Sequence, residues 1–83
     1  MHCYIYKSTA KGETYVFLRE RDGTHVLPRE LASALGELAF VMDLELTPER
    51  RLARIDVATL QSALAERGFH IQLPPSEWQH NGN

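Results

Sequence analysis

The residues in this chain that could do chemistry are few, and their spacing narrows what that chemistry could be. The four histidines, His2, His25, His70 and His80, fall on separate segments and lack the i, i+4 spacing that places two metal ligands on one helix face. His2 and His70 would meet only if the first and last strands were neighbours, and solvent-facing strand positions account for both more simply. Cys3 is the sole cysteine. A nucleophilic thiolate needs a nearby base or a positive field, whereas Cys3 alternates onto the same strand face as Ile5, the place of a small buried hydrophobe. Ser8, Ser33, Ser62 and Ser76 lie in no nucleophile-elbow pattern. Asp43 and Glu45 alternate onto one face of an extended run with Glu37 close by, which is the raw material of acid–base work. A strand end passing into a polar turn calls for the same residues. The dispersed glycines form no phosphate-cradling loop. The expectation is no catalytic residue, no metal and no cofactor.

Residues suited to binding are more suggestive. Lys7, Lys11, Arg19 and Arg21 flank the first two extended runs, and Arg50, Arg51 and Arg54 form a second basic group. Tyr4 and Tyr6 share a face with His2, as Tyr15 and Phe17 do on the next run. Rings with nearby cations stack bases and hold phosphates, so Tyr4, Tyr6, Lys7, Arg19, Arg50 and Arg51 are the candidate RNA contacts. Glu13, Glu20 and Asp22 offset the first group, and rings lying beneath a helix would instead be core. A net charge of -2 supplies no bulk attraction for nucleic acid. Pro74, Pro75 and Trp78 are the candidate protein contact, because tryptophan beside a rigid diproline is a type of interface anchor. Trp78 folded back over the sheet is the competing reading.

The elements that must position these residues can be read from periodicity. His2–Tyr6 and Thr14–Leu18 are β-branched and aromatic, and the short polar stretch between them predicts an antiparallel hairpin. Asp22-Gly23 predicts a turn whose glycine tolerates positive φ, and His25–Leu27 leaves room for a short pairing segment that Pro28 cuts off early. Pro28-Arg29-Glu30 opens a short helix that buries Leu31, Ala34 and Leu35 and stops at Gly36. Leu38–Leu46 alternates, with Leu38, Phe40, Met42, Leu44 and Leu46 on one side, and reads as the central strand. Asp56 caps a second helix with a Val57, Leu60, Ala63, Leu64 stripe that ends at Arg67-Gly68. Phe69–Leu73 is the fourth strand, closed by the diproline. The second helix should act as a crossover that makes the last two strands parallel. Strands that are apolar on both faces require cover on both sides.

In chain order, Cys3-Tyr4-Ile5-Tyr6-Lys7-Ser8, Tyr15-Val16-Phe17-Leu18, Pro28-Arg29-Glu30-Leu31 with Gly36, Leu52-Ala53-Arg54-Ile55-Asp56-Val57 with Leu60 and Leu64, and Gly68-Phe69-His70-Ile71-Gln72-Leu73-Pro74-Pro75 resemble the YcgL-like family of small bacterial proteins. The resemblance covers residues 2–75. The chain departs from the family pattern at His70, often aromatic there, and in the tail after Pro75. The resemblance implies an α/β/α sandwich and a role that is biochemically undetermined, with no catalytic or binding residues to transfer. It also implies a link to RNA metabolism, because family genes often lie beside one for an exoribonuclease.

The fold expected is therefore α/β (α+β): an α/β/α sandwich with a four-stranded mixed sheet, a β-hairpin and helices on both faces. One domain spans residues 1–75, and a polar tail spans 76–83. Eighty-three residues with 43% apolar and 24% charged content suit one soluble globule and exclude a disordered polyelectrolyte. The longest apolar run, Leu38–Met42, is far short of the roughly 20 residues that cross a bilayer. With no secretory leader pattern and no disulfide partner for Cys3, a reducing cytoplasm is expected. The function expected is a non-enzymatic cytoplasmic binding or adaptor module. It would meet a protein partner, with RNA-degradation machinery in view, through Pro74, Pro75 and Trp78 or through an exposed strand edge. The alternatives are a weak single-stranded RNA binder and a small enzyme centred on Cys3 or His70.

Overall fold

A computed structural model describes residues 1–52 and 55–74 of the chain. Its elements in order are β1 (His2–Ser8), β2 (Tyr15–Leu18), a 3-10 turn (Thr24–Val26), α1 (Arg29–Leu35), β3 (Leu38–Glu45), α2 (Val57–Arg67) and β4 (Phe69–Gln72). The helix ends follow from local chemistry. The Asp56 carboxylate accepts a hydrogen bond from the Thr59 amide at 3.0 Å, satisfying one of the orphan donors of the first turn of α2. Gly68 ends that helix in the left-handed region at φ 87° and returns its amide to the Leu64 carbonyl, leaving β4 to start at the next residue. Only Leu31, Ala32 and Leu35 of α1 turn inward; Ala34, expected on the buried face, is exposed.

The four strands form one sheet in the order β3-β1-β2-β4. Each neighbouring pair is antiparallel, which corrects the mixed sheet expected from the sequence. The crossover rule governs strands that lie side by side. Here α2 carries the chain from one edge of the sheet to the other, where β4 pairs with β2. A second correction concerns β3, which is an edge strand and not the centre. A third concerns its alternation. Ile5 pairs with Met42 and Tyr6 with Phe40, so Val41 is an extra residue in the ladder, a β-bulge. The bulge reverses the faces along the strand. Leu38, Phe40, Asp43 and Glu45 lie with Ser8, Tyr6, Tyr4 and His2, while Ala39, Met42 and Leu44 lie with Lys7, Ile5 and Cys3.

The apolar side chains divide between the two faces. One buried cluster joins Cys3, Ile5 and Phe17 to Leu46 and to Val57, Leu60 and Leu64 of α2. The other joins Tyr6, Val16 and Leu18 to Leu27 and to Leu35 of α1. His25–Leu27 forms no pairing segment, because the 3-10 turn occupies that stretch and Leu27 drops into the second cluster. In the turn before it, Asp22 and not Gly23 adopts positive φ, at 58°. The Tyr6 hydroxyl explains the exchange, since it donates to the Asp22 carboxylate at 3.1 Å and accepts from the Asp22 amide at 2.7 Å. That two-way link holds a conformation that short polar side chains tolerate better than most.

Candidate functional site

The outer edge of β3 is the most distinctive surface of the domain. An edge strand leaves one row of backbone groups unpaired within its sheet. Arg50 reaches only the last of these residues, donating from Nε to the Glu45 carbonyl at 3.0 Å. Between the ends, three consecutive large side chains stand out: Phe40, Val41 and Met42 are 42%, 47% and 46% exposed. The run sits at the bulge on an edge strand, where the neighbouring residues Ala39 and Asp43 are exposed as well. The Arg21 guanidinium lies 4.3 Å from the centre of the Phe40 ring, and Tyr6 meets the same ring edge-on at 5.4 Å. Phe40 is therefore held in place at the surface by a cation and an aromatic neighbour.

Beyond Phe40 on the same face the strand turns acidic. His2 binds both carboxylates, with Nε2 3.3 Å from Asp43 and Nδ1 2.9 Å from Glu45. Its ring also leans on Tyr4 at 5.3 Å. Imidazole can donate from both nitrogens only as imidazolium. The two carboxylates, Glu45 foremost, accordingly raise the His2 pKa above its ordinary value, and His2 in turn holds Glu45 below the usual carboxylate range. His70 behaves oppositely. It sits on β4 against Phe17, and burial, aided by the Arg67 charge, lowers its pKa.

These shifts fix the sign of two pH effects. The His2 link contributes stability that is complete below about 6.5 and is lost as pH rises through its raised folded-state pKa. Glu45 contributes above its unfolded value and stops contributing as pH falls through its lowered one. Neutral His70 contributes above about 6.5 and its contribution disappears as pH falls through its lowered pKa. Titrated by proton NMR in the folded chain, His2 is expected to show a midpoint above 6.5 and His70 one below it. An inverted order would break the link between geometry and charge drawn above.

The residues singled out from the sequence are dispersed. His2 and His70 lie on strands that do not neighbour each other and on opposite faces, so the approach on which a shared metal depended does not occur. Cys3 is fully buried, and desolvation pushes its thiol up to about 11, so the thiolate is scarce near neutrality. Tyr4 and Tyr6 face the α1 cluster, Tyr6 being only 3% exposed, while Lys7 lies on the face of Ala39 and Tyr15. Arg19 donates to the Ala65 carbonyl at 3.5 Å. Arg50 and Arg51 line a groove of about 820 Å³ with Leu52, Ile55 and Gln61. The six candidate RNA contacts are thus spread over both faces and a loop. Pro74 is half-buried beyond β4, and Pro75 and Trp78 lie outside the described residues, as does Arg54. Sequence reasoning missed Val41 and the pairing of Arg21 with Phe40. Phe-Val-Met reads as core in any alternating pattern, and a bulge leaves no mark in composition.

Comparison with known proteins places this arrangement in a familiar group. A family model described as the YcgL domain matches residues 3–75. A YcgL domain-containing protein of Xanthomonas campestris pv. campestris strain B100 is 50% identical over 74 residues, which is 89% of this chain and 86% of the relative. One from Stenotrophomonas maltophilia strain K279a is 47% identical over 76 residues, 92% of this chain and 88% of the relative.

Proposed function

The chain belongs to the YcgL-domain family, and from that premise we propose that it is a cytoplasmic protein-binding or adaptor module that docks through the outer edge of β3. One observation carries the reading: Phe40, Val41 and Met42 are presented together on a strand whose outer flank pairs with no other strand among the described residues. Apolar side chains beside free backbone donors and acceptors are what an added strand or a packed partner uses. The two apolar clusters, one containing α1 and one containing α2, support reading the domain as an α/β/α sandwich. In that architecture most other large side chains serve cohesion, and the β3 edge is left to meet a partner. The high pKa of buried Cys3 weighs against thiol catalysis. The link to RNA metabolism would run through the partner, not through direct contact with nucleic acid.

A tagged chain used as bait in a lysate of the native host tests this, with and without nuclease and beside a Val41→Lys variant. Capture that survives nuclease and is lost with Val41→Lys is the expected result, since an outward lysine blocks edge association. Capture unaffected by the lysine overturns the assignment of the edge. Capture that vanishes with nuclease favours the single-stranded RNA alternative.

A further inference from the structure

We propose that the occupant of the β3 edge is a second copy of this chain, paired antiparallel about a two-fold axis between Val41 and Met42. The inference rests on the docking role of that edge and adds the identity of what docks. In an antiparallel ladder, residues directly opposite lie on the same face of the sheet. The bulge makes this a strict condition for self-pairing. An axis through Val41 would set Phe40 opposite Met42 of the second copy, and these lie on different faces. Only an axis between Phe40 and Val41, or one between Val41 and Met42, keeps the remaining residues in face on both sides of the bulge.

Charge decides between the two. With the axis between Val41 and Met42, Phe40 stands opposite Asp43 of the second copy, Ala39 opposite Leu44, and Leu38 opposite Glu45. Phe40 carries Arg21 on its ring, and Asp43 shares the face of Phe40. Each copy thus offers Arg21 at one end of the apolar run and Asp43, which its own His2 also meets at 3.3 Å, at the other, and the two-fold brings Arg21 and Asp43 together twice. That is the self-complementary pattern of an isologous contact. The other axis sets Asp43 against Leu38, a diagonal step away from Phe40 and the Arg21 that covers it.

The area sets the strength. Exposures of 42%, 47% and 46% on three side chains leave only a small apolar patch. A stable interface needs about 800 Å² from each partner. The pair is therefore a weak, concentration-dependent dimer, and its charge pairs make it salt-sensitive.

Translational diffusion of the purified full chain, measured by NMR from dilute to millimolar protein, reads this directly. Diffusion should slow toward the dimer value as concentration rises, and salt should reverse the trend. Val41→Lys, Arg21→Asp and Asp43→Arg should each abolish the concentration dependence, while the Arg21→Asp/Asp43→Arg double variant restores it. Circular dichroism on every variant separates loss of pairing from loss of fold. A wild-type chain that stays monomeric throughout, or a double variant that fails to recover, overturns the proposal. If the wild type stays monomeric while Val41→Lys still loses a captured host protein, the second copy is excluded and the docking role stands. If Val41→Lys changes neither measurement, both fall.

Discussion

Leu60→Ala is expected to cost about 3 kcal/mol and to lower the melting temperature by roughly 12–24 °C. Leu60 is fully buried and belongs to the cluster that joins α2 to Cys3, Ile5 and Phe17. Truncation removes transfer free energy and leaves a cavity that rigid strands cannot collapse around. A domain of this size has only about 5–10 kcal/mol to lose, so one such change consumes a large share of it. α2 runs for 11 residues, too short to persist without tertiary packing, which makes its inward side chains the source of its stability. Ser62→Ala, on the exposed side of the same helix, is the comparison and should stay within about 0.5 kcal/mol of the parent chain. Guanidinium unfolding checks both. Equal losses for Leu60→Ala and Ser62→Ala would mean that α2 is not held by the cluster assigned to it.

The contrast between those two positions is legible in the sequence, because it depends on helical period alone. Caps are legible for the same reason: Asp56 with Thr59 and Gly68 with Leu64 act within four residues of each other. Strand order is not. β3 is as apolar as a central strand, and hydropathy cannot distinguish a residue that faces a neighbouring strand from one that faces open solvent. What sets β3 at the edge is the pairing of β1 with β2 through the hairpin on one side, which leaves β1 a single free flank. The alternation misleads because Val41 adds one residue to the ladder, and one residue is enough to exchange the faces.

The candidate site follows the same division. That Asp43 and Glu45 share a face is visible in the two-residue period. That His2 is the residue between them depends on β1 and β3 pairing with Glu45 opposite His2, a register that no local pattern records. The exposed Phe40-Val41-Met42 run is hidden from the sequence for a deeper reason. Its residue types argue for burial, and only the shape of the finished sheet exposes them. At Phe40-Val41-Met42 the sequence misleads where the domain departs from a cohesive core, as real proteins do at functional sites.

Gly36→Ala puts the joint beside that surface to the test. Gly36 ends α1 and leads within two residues into β3. Its backbone sits at φ 70° and ψ -156°, a region essentially closed to residues with a Cβ. Space is short as well, since a Cβ there would lie 3.1 Å from the Ala10 methyl and 3.4 Å from Thr9 Oγ1. Both neighbours belong to the loop between β1 and β2, which is sewn to this turn by Thr9 N–H and Oγ1–H donating to the Glu37 carbonyl at 3.0 and 2.8 Å. Relief of the strain by moving the turn would pull on those bonds and on the Ser8 hydroxyl that donates to the Leu35 carbonyl. The expected cost is about 2–3 kcal/mol, a fall in melting temperature of roughly 8–24 °C. Amide exchange at Thr9 should accelerate more than exchange in α2. Gly12→Ala is the control: a methyl there would meet no atom within 4 Å and the φ of Gly12 is not positive, so the change should be neutral or stabilise by up to about 1 kcal/mol. If Gly36→Ala melts with the parent chain, the turn is not fixed by backbone conformation, and the start of β3 is free to shift its register against β1.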